Sequence, residues 1–231
     1  MVVHPRRSSV EQVRRLSNLW IGPDRFAPLL VFLLAAFLFS GGAGSVWPKM
    51  AGATLNLAAL LAGMAATNLA ANRRRMAVLL LVGAVSGVMV GVFDQNSVWS
   101  GIGALGQAFV LIGILLAVVR RVSSHDRVEL PTITGAIAAY FLIGLVFAWI
   151  YLASYGLLEP PILDPEETGV PAYYSFVVLS TLGFGDVAPV HELVKRVTAI
   201  EAVAGQIFLA TLVARLVAMY GSPRQRSVDE P

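Results

Sequence analysis

The chain has 231 residues, 57% of them apolar and 13% charged, with a net charge of +3. A soluble domain carries about a quarter charged residues, so this balance, with polar residues gathered between long apolar runs, is that of a chain embedded in lipid. There is no cysteine, and His4, His125 and His191 all lie outside the apolar runs, which excludes disulfides, thiolate metal sites, cysteine nucleophiles and zinc-type ligand spacing.

Residues 1–25 are polar and basic and are expected to lie in the cytoplasm. Val10, Val13, Leu16 and Trp20 recur there at helical spacing beside Arg14 and Arg15. Ser9 and Gln12 suit a capping box, so residues 8–20 are expected to form an interfacial helix on the inner leaflet. No small-residue cleavage site follows, so the first apolar run reads as a retained span.

Apolar runs occupy 26–44, 49–70, 76–93, 97–119, 132–155 and 193–220. Each can cross about 30 Å of hydrocarbon, which takes about 20 residues of helix. The expected fold is an all-α membrane protein with six transmembrane helices, 26–121 forming a four-helix domain. Gly83, Gly87 and Gly91 form one ridge on the third run. "GIGALG" (101–106) matches a dinucleotide-binding pattern only formally, since no strand precedes it, and reads as close helix packing. Asn56, Thr67 and Asn68 are expected to make interhelical hydrogen bonds.

The bases fix the expected orientation. Arg6, Arg7, Arg14, Arg15, Arg25, Arg73, Arg74, Arg75, Arg120, Arg121, Arg127, Arg224 and Arg226 fall on one side of a six-span arrangement. Lys49, Lys195 and Arg196 fall on the other. The positive-inside rule puts both termini, including the short 221–231 tail, in the cytoplasm and 156–192 on the outer side. The preponderance of Arg over Lys suits a bacterial inner membrane. Run 97–119 holds no base, so it lacks the charges with which a helix senses voltage. No ligand-binding domain is expected in the few residues after the last run.

The acidic stretch "EPPILDPEETGVP" (159–171) carries Glu159, Asp164, Glu166 and Glu167 and reads either as a loop that concentrates cations outside or as a merely solvated one. "PAYYSFVVLS" then makes a short helix at about 171–181, with Pro171 in its first turn. "TLGFGD" (181–186) is too Gly-rich for helix and sits between two spans, so the chain re-enters the membrane there. Irregular backbone at membrane depth must line a cavity or be buried in protein. Carbonyls that all point one way require alternating conformations, some with positive φ, and Gly183 and Gly185 reach these without a Cβ penalty. Leu182 and Phe184 are then expected to point away, into supporting protein. The oxygens of Thr181, Leu182, Gly183 and Phe184 would replace the water shell of a cation, and the C-terminal end of the short helix would add negative potential.

This run resembles the potassium-channel signature T-x-G-[YF]-G-D. The resemblance spans roughly 132–220: an outer helix 132–155, pore helix, filter and inner helix 193–220. It implies a selectivity filter of Thr181, Leu182, Gly183, Phe184 and Gly185, with potassium ions at Thr181, Leu182, Gly183 and Phe184. Tyr173 and Tyr174 stand where the family often has a Trp pair, and Ser180 where it often has a second Thr. Gly205 stands at the family's hinge glycine, and helical steps beyond it put Gln206, Leu209, Val213, Leu216 and Tyr220 near the gate. One motif per chain, with the geometry of a ring, implies a homotetramer. The expected partners are further copies of the chain, membrane lipids and permeant potassium, with no nucleic acid, no other cofactor and no enzymatic activity. A non-selective cation channel, a potassium transporter subunit and a non-conducting sensor are the competing readings.

Two positions depart from the family. Phe184 replaces the commoner Tyr. Val177 stands where some bacterial members bury a Glu, so Asp186 lacks that carboxyl partner and Tyr173 is the expected substitute. Glu201 lies about 12 Å along the last span, without a base nearby. A carboxyl there is expected to be hydrogen-bonded to hydroxyls or backbone, or protonated, and to sit behind the filter against the short helix, reaching Ser180 or a tyrosine. His191 is a candidate external proton sensor.

Overall fold

The computed structural model describes residues 26–39, 58, 59, 61–64, 66, 73–124, 130–164 and 170–220. The interfacial helix, the 221–231 tail, Asn56, Thr67, Asn68, Glu166 and Glu167 lie outside them.

Among the described residues, six helices with defined ends follow in order: α1 (Ala27–Phe39), α2 (Arg73–Val92), α3 (Val98–Ser123), α4 (Leu130–Leu157), α5 (Val170–Leu179) and α6 (Glu192–Tyr220). Among the described residues, three stretches are long and apolar enough to cross a membrane: Val98–Ser123, Leu130–Leu157 and Glu192–Arg215. Ala27–Leu38, Ala77–Val92 and Val170–Leu179 are shorter apolar helices. The outer and inner helices thus start and end within two residues of their expected bounds. The third apolar run, expected at 76–93, falls on α2, and the first is described as helix as far as Phe39.

The helices begin and pack for local reasons. Ser97 caps α3, its hydroxyl accepting the Trp99 amide at 3.3 Å. The GIGALG run lies inside α3 and lets α2 approach closely: a Cβ on Gly103 would stand 2.9 Å from the Ser86 carbonyl oxygen. Buried Gln107 donates to the Gly83 carbonyl and to Ser86 Oγ, both at 2.9 Å, so a polar clasp joins α2 to α3. The glycine ridge of α2 is packed only in part, because Gly91 faces open space.

Two cores result. Phe26, Leu29 and Leu33 from the α1 end pack with Leu111, Ile114 and Val118 of α3 and Leu142 and Leu145 of α4. A second cluster joins Tyr151 and Tyr155 of α4 to Ile162, Leu163, Tyr174 of α5 and Val194 of α6. Beside it, strands β1 (Leu163–Asp164) and β2 (Ala188–Pro189) pair antiparallel, Leu163 opposite Pro189. The Val190 amide donates to the Ile162 carbonyl at 3.0 Å. This ties the chain before α5 to the chain just after the TLGFGD run.

Candidate ion-conducting site

The TLGFGD run is launched by the way α5 ends. The Leu182 amide donates to the Val177 carbonyl at 3.0 Å and the Thr181 amide to the Val178 carbonyl at 2.9 Å. These are the two bonds of a Schellman cap, whose residue past the helix end is left-handed. Thr181 takes that position, with φ +59°. The last-turn carbonyls all find donors: Phe176 from the Ser180 amide at 3.0 Å, and Leu179 from the Tyr140 hydroxyl at 3.2 Å.

Positive φ then recurs at alternate residues. Gly183 has φ +56° and Gly185 φ +77°, while Leu182 and Phe184 between them do not share it. A Cβ on either glycine would meet nothing within 4 Å. Backbone conformation, not crowding, therefore demands glycine here. Sequence reading named Thr181 in the strip and anticipated positive φ at both glycines, but not at Thr181, a β-branched residue for which positive φ is a strained choice. The signal was available: a helix running into an extended strip needs a left-handed C-terminal residue.

Leu182 and Phe184 are 60% and 64% exposed. The expectation that they point into supporting protein is not met within one chain. The reason is geometric: the short helix ends before them, and no other described element of the chain reaches their side.

The flank of the run is tied back to α5. The Tyr173 hydroxyl donates to Asp186 Oδ2 at 2.6 Å, and Asp186 Oδ1 accepts the Val187 amide at 3.1 Å. Tyr173 thus meets the carboxylate at the end of the glycine run, as the absence of a carboxyl at position 177 suggested. Tyr174 points the other way, its hydroxyl 2.9 Å from Thr198 Oγ1 on α6. Thr198 donates to the Val194 carbonyl at 2.9 Å, so its one proton is used and Tyr174 is the donor to it.

Glu201 is fully buried behind α5. Its Oε1 is 2.5 Å from Ser175 Oγ, and its Oε2 accepts from the Tyr151 hydroxyl at 2.5 Å. The carboxyl therefore joins α6 to α5 and to α4. Ser180 is not its partner: the Ser180 hydroxyl donates to the Phe176 carbonyl of its own helix at 2.6 Å. Ser175 lies five residues earlier, on the face of α5 that meets α6. Its oxygen also stands 2.7 Å from the Gly144 carbonyl. Ser175 has one proton for these two acceptors, so when it serves Gly144 the contact with Glu201 requires a proton on the carboxyl. Sequence reading missed Ser175, Tyr151 and Tyr140.

Gly205 stands against the end of α5. A Cβ there would lie 2.6 Å from the Leu179 carbonyl oxygen and 2.9 Å from Leu179 Cδ1. Close approach thus accounts for the glycine, and α6 continues as helix through it without a break. Gln206, Leu209 and Val213 are exposed on the α6 surface. The side chains of Leu216 and Tyr220 lie outside the described residues. His191 caps α6, its Nδ1 accepting the Leu193 amide at 3.2 Å and its carbonyl the Lys195 amide at 3.1 Å. Glu159 and Asp164 are exposed on the same side of the chain as the β1–β2 pair. The bases of α3 are confined to its last turn, at Arg120 and Arg121.

Residues 137–221 match the family model described as ion channel. The matched stretch holds most of α4, all of α5, the glycine run and α6. The match supports an ion-channel family and points to a channel rather than an enzyme, and with the long apolar helices it indicates a membrane protein. No curated protein and no solved structure matches the chain.

Proposed function

We propose that this chain forms a potassium-selective pore as a homotetramer and conducts potassium passively across the bacterial inner membrane. The observation that carries the reading is the alternation of positive φ at Thr181, Gly183 and Gly185, on a strip leaving a short helix between two long apolar ones. Alternation of this kind suits a column of carbonyls at Thr181, Leu182, Gly183 and Phe184 that substitutes for a potassium ion's water shell. Asp186, Tyr173, Tyr174, Ser180 and Glu201 would hold that strip from behind. Gly205, Gln206, Leu209, Val213 and Leu216 would form the path and gate below it.

A tetramer is supported by what one chain leaves uncovered. Leu182, Phe184, Ile200, Val203 and Ile207 are all exposed on the single chain. Four copies around an axis would cover the filter's side chains and the bare face of α6 at once. Six spans with both termini in the cytoplasm complete the proposed topology. Opening is not driven by a charged α3, since its only bases are in the last turn. Reversal potentials of the purified chain in planar bilayers, with potassium on one side and sodium on the other, test the reading against a non-selective pore.

A further inference from the structure

We propose that the groove between α2 and α3 is a binding site for an anionic phospholipid, with the phosphate on Arg74 and Arg120 and an acyl chain lying along Leu79, Phe109 and Leu116. A cavity of about 660 Å³ opens there, lined also by Val78, Gly113, Ala117, Arg121 and Ser124. Its two ends differ in chemistry. The arginines gather where α2 begins and α3 finishes, and apolar side chains follow deeper along both helices. Phe109 lies about 16 Å of helix rise from Arg120, enough to accompany much of a fatty acyl chain.

Among the described residues no acidic side chain lines the cavity, and α2 has no acid in its first turn. Arginine at a helix N-terminus adds positive charge to the positive end of the helix dipole, where an anion is the favoured neighbour. Leu116 and Val78 are exposed beside it, so the apolar lining is open to lipid among the described residues. A basic end at headgroup depth over an apolar groove matches a phospholipid in both charge and shape. A free phosphate would use the arginines and leave the groove empty.

The test is native mass spectrometry of the full-length chain from detergent, titrated with phosphatidylglycerol, phosphatidylcholine or glycerol phosphate. The expected result is that Arg74→Gln/Arg120→Gln loses one tightly held phosphatidylglycerol per chain, with affinity at that site falling about tenfold or more. Ala117→Phe, which fills the groove and keeps the arginines, is expected to lose the same lipid. Phosphatidylcholine should not occupy the site, and glycerol phosphate should not displace the lipid. Equal occupancy by phosphatidylcholine, unchanged phosphatidylglycerol count in the double variant, or displacement by glycerol phosphate would each overturn the proposal. If both variants fail to fold, the unmodified chain decides: a phosphatidylglycerol preference that high salt abolishes supports the site, and its absence refutes it.

Discussion

The carboxyl of Glu201 stands 2.5 Å from the Ser175 hydroxyl on one side and 2.5 Å from the Tyr151 hydroxyl on the other. Three helices, α4, α5 and α6, meet at this one side chain. Their relative position sets the height of Leu179 and so of the glycine run that follows it.

Removing the carboxyl leaves Ser175 with only the Gly144 carbonyl and Tyr151 with only the longer contact to Thr198, and opens a void. Glu201→Ala is expected to cost about 3 kcal/mol, the sum of a lost buried hydrogen-bond partner and a small cavity. Glu201→Gln keeps the volume, one acceptor for Tyr151 and a donor for Ser175, and should cost less than about 1 kcal/mol. Thermal unfolding of the detergent-solubilised protein compares them. Equal losses in the two variants would show that the shared hydrogen bonds do not hold the helices together.

Gly205→Ala sets two effects against each other. Alanine gains about 1 kcal/mol of helix propensity. Its Cβ would also lie 2.6 Å from the Leu179 carbonyl, a backbone atom at the end of α5 that cannot step aside alone. Overpacking of that kind costs about 1–3 kcal/mol, so a net loss of stability is expected. A stabilised Gly205→Ala protein would return the glycine to the role of a hinge.

Gly183→Ala meets no steric obstacle, so its cost is conformational, about 1–2 kcal/mol for a left-handed alanine. The protein should still fold and assemble. The strip should relax toward negative φ and lose potassium preference, measured as a shift of reversal potential toward that of a non-selective pore. Unchanged preference would dissociate the glycine run from selectivity.

Tyr173→Phe removes one exposed hydrogen bond to Asp186 and should cost no more than about 1 kcal/mol of stability. Its effect belongs to function. With the end of the strip released from α5, current is expected to decay faster under sustained recording. An identical time course in the variant would mean that this tether does not steady the strip.

Much of this arrangement was legible in the residues, and what was not has physical causes. The outer and inner helices followed from run length, and the two glycines from the dihedral demands of an extended strip. Tyr173 against Asp186 followed from a missing carboxyl at Val177. Glu201 was recognisable as a buried carboxyl from its depth, and a tyrosine partner was expected and is found in Tyr151, but the serine partner was placed at Ser180 instead of Ser175. That choice depends on how α5 is rotated against α6, and no local pattern on α5 records it. The β1–β2 pair is two residues long on each strand, too short for any periodicity. Leu182 and Phe184 read as buried because their apolar character demands cover, yet the described residues of the chain that carries them do not supply it.

The central claim is that the strip from Thr181 to Gly185 passes potassium selectively. The most direct measurement is the reversal potential of single channels of the purified, unmodified chain in a planar bilayer, with potassium chloride facing sodium chloride. Discrete unitary currents carried by potassium are expected, reversing far from zero in the direction that potassium alone would set, with that preference lost in Gly183→Ala. Currents that reverse near zero in the same gradient, or a correctly assembled protein that passes no ions, would contradict it.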